Sequence, residues 1–259
     1  MSSSKKTSPK APLRKAALVK AALRKTPLRK SAVRKTAARK AKQSGAAARR
    51  KSAAPHSYHH GDLRQALLDA TEAVLLEKGV DGLTLRECAR RAGVSHGAPA
   101  HHFGDVRGLL TAFSTISYAL LDARMCAERG AANPAPMDQL IATGIAYVEF
   151  ALAHPARFRL MFRHERLTAT PSLLETGARS YTHLRECIEQ IDAAEGGDGT
   201  LLNEKTALAW TLVHGFATLL HDSQGFTLLV PPGKAAVRGF LDRLLHLSSP
   251  GYRASALPE

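Results

Sequence analysis

The sequence predicts an all-α protein: an N-terminal three-helix helix-turn-helix domain and a C-terminal helical bundle, preceded by a disordered basic tail. Three observations carry this. Beyond Pro55, apolar residues recur at helical spacing with short loops marked by Gly and Pro, and no run of β-branched alternation appears. Two short helical segments meet across Ala92-Gly93-Val94, the signature of a helix-turn-helix. The charge is divided: residues 1–55 hold 18 of the 37 Lys+Arg and none of the 22 Asp+Glu, which leaves 19 against 22, or −3, for the remainder.

The tail repeats every five residues from Leu13: LRKAA, LVKAA, LRKTP, LRKSA, VRKTA, ARKAK. Five positions advance about 500° around a helix, so the Leu/Val set winds around the axis and forms no apolar stripe. With Pro9, Pro12 and Pro27 and no aromatic residue, the segment buries too little apolar surface to offset its ordering entropy. Its Lys/Arg pairs suit sequence-independent, salt-dependent binding to nucleic acid. The repeats resemble the lysine- and alanine-rich tails of linker-histone-like proteins. A merely solvated basic arm and a mitochondrial transit peptide are the other readings, and the strict Lys repeat argues against the second. Residues 45–55 read as a linker, and as a coil the whole tail would span about 40 Å end to end.

Within the folded part, Leu63, Leu67, Ala70 and Val74 share one face of a first helix that Gly79 stops. Thr84-Leu85-Arg86-Glu87 reads as a capping box opening a second helix, which ends before Gly93, with Val94 as a buried anchor. Ser95 is the expected cap of a third helix over 95–102, where Pro99 sits in the tolerant first turns. Asp105 is the expected cap of a fourth, carrying Leu109, Leu110, Phe113 and Leu120. Later helices are expected at about 137–153, 155–163, 172–193, 203–221 and 234–247, with loops at 195–199 and 231–233. The implied domains are a tail over 1–55, a helix-turn-helix domain over 56–121, a second helical domain over 122–248 and a C-terminal tail over 249–259.

Residues from about Tyr58 to Leu121, above all TLRECARRAGVS followed by HFGD, resemble the DNA-binding domain of the TetR family of transcriptional regulators. AHPARFRLMF at 153–162, and Trp210 with Val213, His214 and Gly215, resemble one subgroup of that family. The resemblance implies a regulator that binds double-stranded DNA, a homodimeric repressor released by an unknown small-molecule effector. It also implies a third helix that enters the major groove. DNA-facing candidates are Thr84, Arg86, Ser95, His96, Gly97, Ala98, His101, His102 and Arg107. The chain departs from the family where Ala100 replaces a Tyr and Val106 replaces a Lys, both of which typically hold phosphates. Residues 56–121 contain six Lys+Arg and seven Asp+Glu, so this domain alone is about neutral. The basic tail is therefore expected to add nonspecific affinity to a degenerate reader. The alternative is a nucleoid-associated architectural protein whose helix-turn-helix is vestigial.

In such proteins earlier helices enclose a ligand pocket and the last two pair between subunits. Here Tyr147, Phe158, Met161, Phe162, Tyr181, Trp210 and His214 are the pocket candidates. Leu208, Leu212, Phe216, Leu219, Val237, Phe240, Leu241 and Leu244 are the dimer-interface candidates. Ordinary core packing is the competing reading for each, because helical spacing is the same in both cases. No G-x-S-x-G, P-loop or G-x-G-x-x-G occurs, so catalysis is not expected. No cofactor and no metal site is expected either, since adjacent pairs such as His59/His60 and His101/His102 point to different sides of a helix. Cys88, Cys126 and Cys187 lack C-x-x-C spacing and fit a reducing compartment. No apolar run reaches membrane-span length and no secretory signal is evident, so a soluble intracellular protein with no membrane partner is expected; the resemblance, with the basic tail, implies the bacterial cytoplasm, at the nucleoid.

Overall fold

Leu67, Leu68, Thr71, Val74 and Leu75 line one side of α1 (His60–Lys78) and are all buried, because an i, i+3, i+4 apolar spacing needs a partner surface. The computed structural model describes residues 60–222 and 229–253. The basic tail, the linker and the last six residues, 254–259, lie outside the described residues. Gly79, at φ 68°, turns the chain out of α1, and its N–H closes on the Leu75 carbonyl.

Then α2 (Leu85–Ala92) begins at Thr84, whose hydroxyl accepts from the Glu87 N–H at 3.2 Å. The capping box is only half formed. Glu87 does not reach back to Thr84, because Lys78, Arg90 and Arg91 all donate to its carboxylate, at 3.2, 2.9 and 2.9 Å. Those cations hold its carboxyl far below the usual range. Gly93 ends α2 in the left-handed region at φ 68°, and the Val94 N–H bonds back to the Ala89 carbonyl. Val94 is half-buried rather than fully buried.

The third helix, α3 (Ala98–Phe103), starts later than expected, capped by Gly97 and not by Ser95. The Ser95 carbonyl instead accepts from the Ala98 N–H, a turn that delays the helix by two residues. Pro99 lies in the first turn, as its missing amide allows, and is buried. After Gly104, Asp105 caps α4 (Val106–Ala131) by accepting from the Gly108 N–H at 2.7 Å.

The remaining helices are α5 (Pro136–Ala153), α6 (Pro155–Met161), α7 (Pro171–Ala194), α8 (Leu202–Asp222) and α9 (Lys234–Arg253), with a 3-10 turn at His164–Arg166. Among the described residues there is no strand, and no helix there is long and apolar enough to cross a membrane. α9 runs past the expected end at 248, and Tyr252 is fully buried with its hydroxyl accepting from Ser248 at 3.0 Å, so residues 249–253 are not a tail.

The long α4 passes through position 121 without a break, so the expected domain boundary falls inside a helix. A single apolar cluster extends from Leu68, Val74 and Leu83 through Leu109 and Phe113 to Ile145, Met161 and Leu245, and the described helices form one compact unit. Where α5 crosses α8 and α9, Gly144 has no side chain to spare: a Cβ there would stand 3.1 Å from Val213 and 3.2 Å from Leu245. A second, smaller cluster of Leu140, Leu184, Cys187, Ile188, Ile191, Ala209 and Tyr252 closes the far end of the bundle.

Candidate functional site

Ser95, His96, Gly97, Ala100 and His101 are exposed on α3 and its lead-in, while Ala98 and His102 are half-buried. His102 stands edge-on to His101 at 5.6 Å and lies 6.2 Å from Phe103. Thr84 is exposed at the start of α2; its hydroxyl oxygen is taken by the cap, which leaves the proton free to donate outward. Most cations of this region are already committed. Lys78, Arg90 and Arg91 pair with Glu77 or Glu87. Arg64 lies over the Phe103 ring at 5.5 Å. Arg86 is exposed beside the N-terminus of α2 and has no acidic partner among the described residues.

Arg107 departs from its expected role as a replacement phosphate contact. Its guanidinium donates to the carbonyls of Leu167 at 2.9 Å and Glu165 at 3.0 Å, so both terminal nitrogens fasten the segment after α6 onto the start of α4. Nearby, Thr111 accepts from the Thr168 N–H at 2.9 Å and completes that attachment.

Within the C-terminal bundle lies a cavity of about 320 Å³, bounded by α4, α5, the end of α6, α7, α8 and α9. Tyr147, Met161, Phe162, Tyr181 and Trp210 line it, five of the seven side chains expected around a pocket. Phe158 and His214 stand behind that wall. Phe158 packs 5.7 Å from Tyr147 and 5.2 Å from Phe162, and His214 packs 4.5 Å from Phe162. The Tyr147 hydroxyl and His214 Nδ1 are 2.8 Å apart. Burial raises the Tyr147 phenol and lowers the His214 imidazole, so at neutral pH both are uncharged and the phenol can donate to a bare Nδ1. Tyr118, also on the cavity, is pushed up to about 12 by burial and donates to the Met161 carbonyl at 2.9 Å.

Sequence spacing missed the rest of the wall, including Leu121, Met125, Thr143, Leu173 and Leu245. Their helical periodicity matches that of any core residue, and only the packing of α4, α5, α7 and α9 in the bundle sets them around a void.

Of the residues expected at a subunit interface, Leu208 and Leu219 are exposed at 42% and 45%, which for large aliphatic side chains marks an uncovered face. Leu212, Val237, Phe240 and Leu244 are half-buried. Phe216 and Leu241 are corrected: they are 3% and 1% exposed, packed into this chain's own core, and cannot touch a partner. Leu247, at 79%, and Trp210, at 44%, extend the exposed apolar surface and were not foreseen as part of it.

A helix-turn-helix joined to a helical body with a largely apolar cavity defines the class, a helix-turn-helix regulatory protein. Residues 67–113 match the family described as bacterial regulatory proteins, tetR family, and residues 140–244 match the tetracyclin repressor-like C-terminal domain. The chain belongs to the TetR family, which is a family of regulators rather than enzymes.

Among its relatives, the HTH-type transcriptional regulator BetI of Burkholderia thailandensis is 42% identical over 79 residues, covering 30% of this chain and 40% of that protein. The match thus spans less than half the length of the curated relatives. A solved structure of a protein with unknown function from Rhodococcus sp. RHA1 is 31% identical with a TM-score of 0.62, covering 76% of this chain and 96% of that one. The structure of AibR in complex with isovaleryl coenzyme A and operator DNA shares the fold at 14% identity, with a TM-score of 0.56 over 71% of this chain and 97% of that one.

Proposed function

We propose that the protein is a DNA-binding transcriptional regulator, a homodimeric repressor released by a small, largely apolar ligand, whose basic tail adds nonspecific DNA affinity. The observation that carries the ligand is the cavity of about 320 Å³, at the lower end of the range that small-molecule sites occupy. Its wall is mostly aromatic and aliphatic, and Tyr118, Thr143, Tyr147, His164, Ser180, Tyr181, Trp210 and Tyr252 bring its polar groups, among them the buried Ser180 hydroxyl, which has no hydrogen-bond partner. AibR, which shares the fold, carries an acyl thioester and operator DNA. That supports an organic ligand with an apolar portion for this chain as well.

In this division of labour residues 1–55 bind phosphates, residues 56–121 read DNA, residues 122–248 bind ligand and partner, and α4 belongs to both folded parts. Thr84, Arg86, Ser95, His96, Gly97, Ala98 and His101 form the DNA face. Leu208, Leu212, Leu219 and Leu244 with the exposed Leu247 form the dimer face on α8 and α9. A ligand acts by binding more tightly to the dimer geometry that misaligns the two α3 helices, since it shifts an equilibrium only by its differential affinity. The protein would work in the cytoplasm, on the nucleoid.

The test is fluorescence anisotropy with the full chain and a chain starting at His56, on DNA from upstream of the gene and on scrambled DNA, across a salt series. The truncated chain is expected to prefer its own upstream DNA, and the full chain to add a steeper salt dependence. Equal affinity of the full chain for both DNAs, with none left after truncation, would favour an architectural DNA-binding protein instead, a reading that Ala100, Val106 and the paired cations support.

A further inference from the structure

Asp122 and Cys126 are four residues apart on α4 and so share one face of it. His183 reaches them from the facing α7. Its Nε2 lies 2.8 Å from an Asp122 carboxylate oxygen and 3.2 Å from Cys126 Sγ, and all three atoms fall within 4.8 Å of one another. Carboxylate and thiol thus converge on the same ring nitrogen. A proton on Nε2 is donated to Asp122 and leaves the sulfur with a weak contact. A bare Nε2 accepts from the thiol but faces a carboxylate lone pair. The arrangement is also wrong for a nucleophile relay, in which the carboxylate holds the ring nitrogen opposite the thiol. No hydrogen bond at Nδ1 locks the proton on Nε2, because that buried atom has no partner.

We infer that Asp122, Cys126 and His183 form a zinc-binding site that staples α4 to α7. One carboxylate, one thiolate and one imidazole are a borderline donor set that suits Zn²⁺, and the carboxylate makes Cu(I) a poorer fit. Two anionic ligands balance the charge of the ion. Tetrahedral Zn²⁺ with bonds of about 2.0–2.3 Å needs ligand atoms about 3.3–3.6 Å apart, so the two contacts of His183 open by less than about 1 Å, while Asp122 and Cys126, within 4.8 Å of each other, need to shift by no more than about 1.5 Å.

Cys126 is exposed, which gives the ion an entry path and leaves the fourth position to water, as in open rather than closed zinc sites. Glu186, one turn beyond His183, is held by Arg129 at 2.7 Å and flanks the site. None of the three ligands lines the organic cavity, so the ion and the proposed effector are separate inputs. α4 follows directly on α3, and a metal clamp on α4 therefore acts on the helix that carries the DNA-facing unit.

The test uses the reduced, metal-free full chain, titrated with Co²⁺ as a spectroscopic stand-in and with Zn²⁺ against a chromophoric chelator. One ion per chain is expected, with a thiolate-to-cobalt charge-transfer band that Zn²⁺ abolishes. Cys126→Ser should remove that band and, like Asp122→Asn, weaken zinc binding by about tenfold or more, with helicity unchanged by circular dichroism. Cys126 is at the surface, so the serine variant is expected to fold; if it does not, Asp122→Asn in the same chelator competition decides the case. A protein without the band, or zinc affinity that survives these substitutions because surface histidines supply it, overturns the site.

Discussion

Arg157 on α6 is 7% exposed and donates two hydrogen bonds to Glu72 on α1, at 2.9 and 2.5 Å, across 85 residues of sequence. Its guanidinium also lies over the Phe113 ring at 4.5 Å, and Ser117 adds a weaker contact at 3.4 Å. This pair joins the first helix of the DNA-facing unit to the C-terminal bundle. Glu72→Ala strips the buried cation of its counter-charge, and breaking a buried pair in that way costs about 3–5 kcal/mol. The Glu72 side chain is 26% exposed, so water re-enters on that side and the lower end, about 3 kcal/mol, applies.

For a folded part of this size that is a fall in Tm of about 6–12 °C, at about 2–4 °C per kcal/mol. Arg157→Met should cost less, because an apolar side chain of similar length fills the space and Glu72 can hydrate. The double variant should then be scarcely worse than Arg157→Met alone. Urea unfolding of all four proteins at one fixed concentration gives the cycle, with concentration held constant because association is linked to stability. A coupling energy under about 0.5 kcal/mol, the value of an exposed ion pair, would refute the reasoning.

Three further outcomes are expected. Lys205 and Asp192 form an ion pair with both side chains under a tenth exposed, and Asp192 also accepts from the Gly199 N–H at 3.0 Å. Lys205→Met should therefore cost about 3 kcal/mol or more, and adding Asp192→Asn should restore much of the urea midpoint; no restoration would mean the pair is not the source. Burial lowers His214 and, with repulsion from Arg157, His154, so the unfolded chain binds more protons than the folded one just below the ordinary histidine value. Stability should be full above about pH 6.5 and fall as the pH drops through the lowered values, and His214→Gln should flatten that acid-side slope. An unchanged slope would show that His214 is not buried as described. Arg107→Ala should leave the salt dependence of DNA binding unchanged while raising protease sensitivity over residues 163–170; a drop of about one in the slope would mean that Arg107 holds a phosphate after all.

How much could be read from the sequence followed from where the determining forces act. Helix starts set by a single side chain, such as Thr84 and Asp105, and stops set by glycine, such as Gly79 and Gly93, were visible because a cap is a local hydrogen bond. Ser95 failed as a cap because a backbone turn through its own carbonyl intervened. Apolar faces were found, yet their direction was not: Phe216 and Leu208 lie on one helix at similar spacing, and only the packing of α5 and α9 decides that the first is buried and the second exposed. Arg107 and Arg157 were equally opaque. Each finds its partners 40 to 85 residues away, a distance that no local pattern reports. The same holds for Asp122, Cys126 and His183, where helical spacing gives two ligands and the facing helix supplies the third.

The electrostatics of the DNA-facing unit bear on how the proposed division of labour would operate. Of its six cations, Lys78, Arg90 and Arg91 are neutralised by carboxylates, Arg107 serves carbonyls and Arg64 covers an aromatic ring. On the proposed reading, that leaves Arg86 and the backbone amides at the start of α2 as the main phosphate contacts of each folded subunit. A reader built this way releases few counterions, so its binding would depend only weakly on salt, on the order of one or two phosphates per subunit. Eighteen cations in residues 1–55 offer many more. The slope of log affinity against log salt therefore separates two contributions that a single dissociation constant would merge. A steep slope in the full chain and a shallow one in the truncated chain would assign retention on DNA to the tail and choice of site to α3. Similar slopes would require phosphate contacts in the folded part that its paired cations cannot supply without first breaking the ion pairs around Glu87.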